Sequence, residues 1–266
     1  MAEEHPTAQE RYFFETNGYL VLENFLPLTQ VADLQQRLRS TIDKRRAGLG
    51  TPLQNQSLQR GAGEDTRIFH ILDDDPAFLD MIDPPAIMPY VRGLLNENAH
   101  FHASDAIWEE ELRLEDRPGW HMDGRDAGYR NLRPNIPHLQ LKVGYYLSDM
   151  REPDQGNLML VPGSHHTALE PDSQLLSGFA TFPGAVQICA GPGAAILFHN
   201  AVWHTRGPHT RQGGKRILLY YAYEQPWMIG NAEHWKYAPA FYNALSPERR
   251  RLFHGFVFDP PEMREF

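Results

Sequence analysis

Up to about residue 98 the apolar positions recur mostly at helical spacing, and beyond it at strand spacing. Residues 7–17 predict a helix that Gly18 ends, ahead of a strand-like Tyr19-Leu20-Val21-Leu22. After Pro27, Val31, Leu34, Leu38 and Ile42 lie on one face of a second helix, with Gln35, Arg37, Arg39 and Lys44 outward. Residues 47–66 are polar and glycine-rich without period, which predicts a mobile loop. Short helices are expected over 76–82 and 85–96, the second opening after Pro84 and carrying Ile87, Tyr90, Val91 and Leu94 on one side. Strands are expected over 99–114, 138–147, 157–162, 185–190, 194–199 and 216–224, with Gly191-Pro192-Gly193 as a turn. Ser246 before Pro247 predicts a short terminal helix. Helices first and strands after imply an α+β chain with a mainly β core, an antiparallel sandwich or barrel.

Composition narrows the class. At 266 residues one domain is expected over 1–266, with 1–98 as mainly helical support, 99–225 as the β core and 226–266 as a C-terminal extension. A net charge of −9 argues against a nucleic-acid partner. Lys44-Arg45-Arg46 reads as the solvated C-terminal end of a helix, where cations complement the dipole. No apolar run is long enough for a membrane helix, and the start, MAEEHPTAQER, lacks the features of a secretory signal. The single cysteine, Cys189 between Ile188 and Ala190, reads as a small core residue in a reducing compartment. The expectation is a soluble cytoplasmic protein with no membrane partner; nothing in the sequence sets its oligomeric state.

Candidate chemistry begins at Gly119-Trp120-His121-Met122-Asp123. In extended chain, residues two apart point the same way, so the His121 imidazole and the Asp123 carboxylate project together. A distal histidine would complete a 2-His-1-carboxylate set with open positions for non-haem Fe(II). His204 is the candidate, at the polar end of the apolar run Ala194–Phe198; it reads equally as a hydrogen-bonded rim histidine. The competitor His199, nearer the strand body, is expected to hydrogen-bond within the wall. Arg216 heads the apolar strand Ile217–Tyr223, where a guanidinium must pair either with a ligand carboxylate or with an acidic side chain. Gln140 and Lys142 share one strand face, which the periodicity favours as the interior. Trp108, Arg125, Tyr129, Arg130, Trp203 and Trp227 are candidates for lining the mouth, and residues 124–137 for a lid.

Taken in order, His121-Met122-Asp123, Gly156-Asn157-Leu158-Met159-Leu160-Val161-Pro162-Gly163-Ser164-His165, His204 and Arg216 resemble the phytanoyl-CoA dioxygenase family of Fe(II)- and 2-oxoglutarate-dependent oxygenases over roughly residues 12–225. The resemblance implies a double-stranded β-helix, or jelly roll, with the metal at its mouth. It implies Fe(II) on His121, Asp123 and His204, the distal carboxylate of 2-oxoglutarate on Arg216, help from Lys142 and Gln140, and O2 as oxidant. The products are then succinate, CO2 and an oxidised small molecule. Halogenating relatives replace the carboxylate ligand with a small residue, so Asp123 implies hydroxylation or a related dehydrogenation. Residues 162–165 are expected as a structural turn, with His165 outside the ligand set. The chain departs from the pattern in two places. Arg206 stands where many relatives carry a small hydroxyl residue, and Arg216 follows His204 at a spacing one residue longer than is common, leaving Arg211 as a second candidate for the clamp. Two rival readings are a metal-dependent jelly-roll isomerase or hydrolase without 2-oxoglutarate, and a catalytically silent ligand-binding jelly roll.

Overall fold

A computed structural model describes residues 5–115, 117–123, 132, 136–167, 170–228 and 236–253. Helix α1 (Ala8–Asn17) starts in a capping box in which Thr7 accepts from the Glu10 amide and the Glu10 carboxylate accepts from the Thr7 amide. Gly18 ends it in the left-handed region at φ 80°, with its N–H on the Phe14 carbonyl. A Cβ there would sit 2.2 Å from Val202 Cγ2, so both conformation and space require glycine. The chain turns directly into β1 (Tyr19–Leu22). Helix α2 (Leu28–Arg46) buries Val31, Leu34, Leu38 and Ile42, as their spacing predicts.

The end of α2 differs from expectation. Lys44 is exposed, but the Arg45 side chain is fully buried. Arg45 forks onto both carboxylate oxygens of Asp74 and donates to the carbonyls of Gln54 (3.1 Å), Phe69 (2.9 Å) and His70 (3.0 Å). It ties α2 to a segment expected as a mobile loop. That segment holds α3 (Pro52–Gln56), started by a Thr51–Gln54 capping box with proline in its first turn, and β2 (Leu58–Arg60). Strand β2 forms an antiparallel hairpin with β3 (Thr66–Phe69).

Helices α4 (Pro76–Leu79) and α5 (Met88–Leu94) are shorter than expected, and Asp80–Ile82 forms a 3-10 turn. The remaining strands are β4 (His100–Glu109), β5 (Gln140–Tyr146), β6 (Leu158–Leu160), β7 (Val186–Gln187), β8 (Ala195–His199), β9 (His204–Arg206) and β10 (Arg216–Glu224), before helices α6 (Pro239–Ala244) and α7 (Pro247–Arg250). Ser246 caps α7 by accepting from the Arg249 amide. The strands form an antiparallel seven-stranded sheet, ordered β1-β8-β5-β10-β4-β3-β2, and a three-stranded sheet, ordered β7-β6-β9. This is a jelly roll with helices on one side. The stretch before residue 99, expected as helical support, also supplies three strands of the large sheet.

Strand alternation assigns the two faces. In β10, Ile217, Leu219, Tyr221 and Tyr223 join the helix-side core with Phe14, Leu34, Leu38 and Phe101, while Leu218 and Tyr220 join an inter-sheet core with Ile107, Leu158, Ile196 and Phe198. With both faces covered, β10 is buried along its whole length and reads as a continuous apolar run. Cys189 departs from expectation: it is exposed, while its neighbours Ile188 and Ala190 are buried. Among the described residues no helix is long and apolar enough to cross a membrane.

Candidate active site

His121 and His204 are locked together by their backbones: each amide donates to the other's carbonyl, at 2.9 and 2.8 Å. The Asp123 amide donates to the Asn200 carbonyl at 2.8 Å, and the buried Asn200 side chain accepts from the amides of Leu139 and Gln140. Residues 119–123 are thereby fastened along 200–205 at one end of the inter-sheet space. The His121 Nδ1–H is directed at the Gly119 carbonyl (2.7 Å) and the His204 Nδ1–H at the Val202 carbonyl (2.9 Å). These bonds select the tautomer in which each Nε2 carries a free lone pair.

Asp123 is divided between two tasks. Its Oδ1 accepts from Lys142 Nζ at 3.0 Å, while its Oδ2 is buried without a hydrogen-bond partner, 3.8 Å from His204 Nε2. One ligand atom from each of His121, Asp123 and His204 lies within 4.8 Å of the others. A buried, unsatisfied carboxylate oxygen beside two imidazole lone pairs is the donor set of a divalent cation with open positions. Burial favours neutral Asp123, but Lys142 and the two histidines outweigh it and hold the carboxyl at about 2. Burial pushes the His204 imidazole down to about 3, against the attraction of Asp123. Asp123 and His204 are thus already in the protonation states that bind metal.

A cavity of about 340 Å³ runs from His121, His204 and Lys142 to Arg216, walled by Ile107, Leu158, Phe198 and Tyr220. Arg216 reconciles its two readings. Its Nη1 pairs with Glu109 Oε2 at 3.3 Å, while its buried Nε has no hydrogen-bond partner. The Glu109 oxygen also accepts from Arg206 Nε at 2.7 Å. Burial alone would raise the Glu109 carboxyl; Arg216 and Arg206 hold it at about 2.

Other expected residues fall elsewhere. Gln140 is buried on the Lys142 face but does not line this cavity, and Arg211 pairs with Glu152 at the surface. Trp108 does not reach the cavity. It has the opposite parity to Ile107 and Glu109, so its Nε1 donates to Glu110 on the helix side while Arg39 covers its ring at 5.5 Å. Trp203 is likewise not a lining residue; it is fully buried against Met159, Val161 and Trp120, with Phe182 tilted beside it. Trp227 is exposed. Arg125, Tyr129, Arg130 and most of 124–137 lie outside the described residues. Sequence reasoning missed Glu109, Tyr220 and the cavity wall supplied by Gln59, Asp65 and Arg67 of the β2–β3 hairpin, and named Arg206 only as a departure from the family pattern. The signal for Glu109 was its strand parity with Asp105 and Ile107; nothing local pairs it with β9.

His199 stays within the wall, its Nδ1 accepting from the Ala201 amide at 2.9 Å. It stacks on His138 with ring centres 4.3 Å apart and meets His165 at 4.8 Å, which in turn packs on His166. His165 Nε2 and His166 Nε2 both face the Glu15 carbonyl, so residues 164–166 form a turn that docks α1. Burial pushes His138 and His165 down to about 4, and His199 well below the ordinary 6.5. The fold requires these rings neutral, whereas the unfolded chain takes up protons near 6.5. Their stabilisation is therefore complete above that pH and lost as pH falls towards 4. The expected result is a stability that drops through this window by more than the roughly 1.4 kcal/mol per pH unit one group can give. Denaturation of His138→Phe across the same range should show a flatter slope; an unchanged slope would remove His138 from the account.

Comparison with known proteins places this geometry. Residues 14–217 match the family described as phytanoyl-CoA dioxygenase (PhyH). An ectoine dioxygenase from Sphingopyxis alaskensis is 24% identical over 226 residues, covering 74% of this chain and 69% of the relative. A probable phytanoyl-CoA dioxygenase from Caenorhabditis elegans is 22% identical over 240 residues, covering 81% and 75%. The crystal structure of EctD from S. alaskensis with 2-oxoglutarate and 5-hydroxyectoine shares the fold at a TM-score of 0.68 and 23% identity, over 84% of this chain and 78% of that one. The family match takes in the His121–Asp123 pair, the Gly156–His165 segment, His204 and Arg216, and the chain belongs to the phytanoyl-CoA dioxygenase family.

Proposed function

We propose that this non-haem Fe(II)- and 2-oxoglutarate-dependent dioxygenase hydroxylates an unactivated C–H bond of a small-molecule metabolite, with His121, Asp123 and His204 as the iron ligands. The observation that carries the ligand assignment is the unsatisfied, buried Asp123 Oδ2 facing His204 Nε2. A retained carboxylate ligand fills the coordination position that halide would need, which favours hydroxylation over halogenation. When the metal, 2-oxoglutarate and O2 are bound, they supply oxidative decarboxylation to succinate and CO2 coupled to oxidation of the C–H bond.

The chain's own residues hold the reactants. Arg216 presents its unpartnered Nε to the distal carboxylate of 2-oxoglutarate, a charge-assisted contact. Lys142 holds Asp123 Oδ1 and so aims Oδ2 inward. Ile107, Leu158 and Phe198 keep the cavity dry beside these charges. The cavity of about 340 Å³ between the metal ligands and Arg216 is of a size to receive a small dicarboxylate such as 2-oxoglutarate. We place the enzyme in the cytoplasm as one domain, with no nucleic-acid partner, in keeping with its acidic charge.

The test is anaerobic titration with Fe(II) and 2-oxoglutarate, in which a weak visible charge-transfer band should grow to one equivalent, followed by a metabolite screen for compounds that shift it. Absence of the band would overturn the reading in favour of a jelly roll that does not use 2-oxoglutarate. Lys142→Met should cost some folding stability, because it leaves the Asp123 carboxylate without its cation, and should weaken Fe(II) binding by about 10–100-fold, the usual effect of losing a partner that orients a ligand. Wild-type metal affinity in that variant would show that Lys142 does not position Asp123.

A further inference from the structure

We propose that Arg206 is a positioning residue that neutralises Glu109, so that Arg216 keeps one edge and one net charge for the distal carboxylate of the cosubstrate. The inference rests on the 2-oxoglutarate reading above and assigns a role to the residue that departs most from the family pattern.

Glu109 is 9% exposed, and its Oε2 is shared by two guanidiniums. The bond from Arg206 Nε is 2.7 Å and that from Arg216 Nη1 is 3.3 Å, so the carboxylate sits closer to Arg206. Among the described residues its other oxygen meets only the half-exposed Arg113, at 3.4 Å. Arg206 has little left for a ligand. Its Nη1 donates to the Gly207 carbonyl at 3.2 Å and its Nη2 lies 3.2 Å from His209 Nδ1. Arg216 is the reverse case, committed through Nη1 and unpartnered at Nε, though buried. A buried guanidinium nitrogen without an acceptor is costly unless a ligand supplies one.

The trio of part-buried Arg206 with buried Arg216 and Glu109 carries one net positive charge, which matches one carboxylate. Without Arg206, Glu109 Oε2 would be left to Arg216, with only the half-exposed Arg113 on its other oxygen, and would offset the Arg216 charge that the incoming anion needs. Gly156 fixes the spacing of the two arginines. At φ +76° its ideal Cβ would lie 2.7 Å from Arg216 Cδ and 3.5 Å from Arg206 Nη2, so both side chains pass over bare backbone.

The experiment compares wild type, Arg206→Gln, Arg206→Lys, Glu109→Gln and the double variant Arg206→Gln/Glu109→Gln. 2-Oxoglutarate affinity is read by anaerobic calorimetry on Fe(II)-loaded protein and by the rise in unfolding temperature on adding 2-oxoglutarate. Arg206→Gln should bind at least tenfold more weakly, with the kinetic loss in KM and not in kcat. Arg206→Lys should stay within threefold of wild type, Glu109→Gln should bind at least as tightly as wild type because it removes the anion that offsets the guanidiniums, and the double variant should recover most of what Arg206→Gln loses. Wild-type affinity in Arg206→Gln, an equal loss in Arg206→Lys, a tenfold loss in Glu109→Gln, or a double variant no better than Arg206→Gln would each overturn the proposal. If Arg206→Gln does not fold, the Arg206→Lys and Glu109→Gln results decide alone. A wild-type protein that does not take up 2-oxoglutarate would overturn the functional reading as well, whereas normal wild-type binding with no rescue overturns this inference only.

Discussion

Asp123→Ala should lower 2-oxoglutarate turnover by on the order of a thousandfold or more, to background. The substitution removes a buried oxygen that has no hydrogen-bond partner, Oδ2, and with it a third of the donor set. It also strips Lys142 of the carboxylate at 3.0 Å and leaves its ammonium only the more distant Asp105, so some destabilisation is expected alongside the loss of activity. The two effects separate in the double variant Asp123→Ala/Lys142→Met. Stability should return, because neither buried charge remains, while turnover should not. Succinate formation and chemical denaturation measured on both variants check this. Full 2-oxoglutarate consumption by Asp123→Ala would end the ligand assignment.

Arg45→Met should cost about 3–5 kcal/mol of folding stability, the range for breaking a buried ion pair by removing one partner. The methionine fills part of the space but leaves the Asp74 carboxylate and the carbonyls of Gln54, Phe69 and His70 without their donor. Typical domains hold only about 5–15 kcal/mol in total, so the loss is a large share. It should appear as a lower denaturant midpoint at unchanged m, since the surface exposed on unfolding hardly changes. A loss below about 1 kcal/mol would mean that Arg45 is an ordinary helix-end cation. The β2–β3 hairpin walls the cavity and is tied to α2 through this residue, so substrate affinity should fall with stability.

What the sequence made legible was what local periodicity encodes. Val31, Leu34, Leu38 and Ile42 marked a helix face, Ser246-Pro247 a helix start, and the two-residue step from His121 to Asp123 a shared direction. His204 could be named because it stands at the polar end of an apolar strand and in the family's order. Partnerships formed across the chain were not legible. Arg45 looked like any basic helix terminus, because the groups that bury it come from residues 54–74. Trp108 was assigned to the mouth although its neighbour Ile107 lines the cavity, since one residue's change of parity exchanges the faces. Some of the loss was avoidable: Thr51-Pro52-Leu53-Gln54 is a capping box with proline at the first position, a helix start in its own right within a stretch read as loop.

The edge position of β1 bears on how the chain assembles. Among the described residues, Tyr19–Leu22 pairs in the sheet with β8 alone, Tyr19 opposite Phe198, so β1 has no sheet partner until residues 195–198 have been synthesised. Its neighbour α1 has its first turn fixed by a local capping box, but β1 must wait as an unpaired edge. Closing so long a loop is a late and slow event, which makes the N-terminal strand a point of exposure to chaperones and to self-association during synthesis.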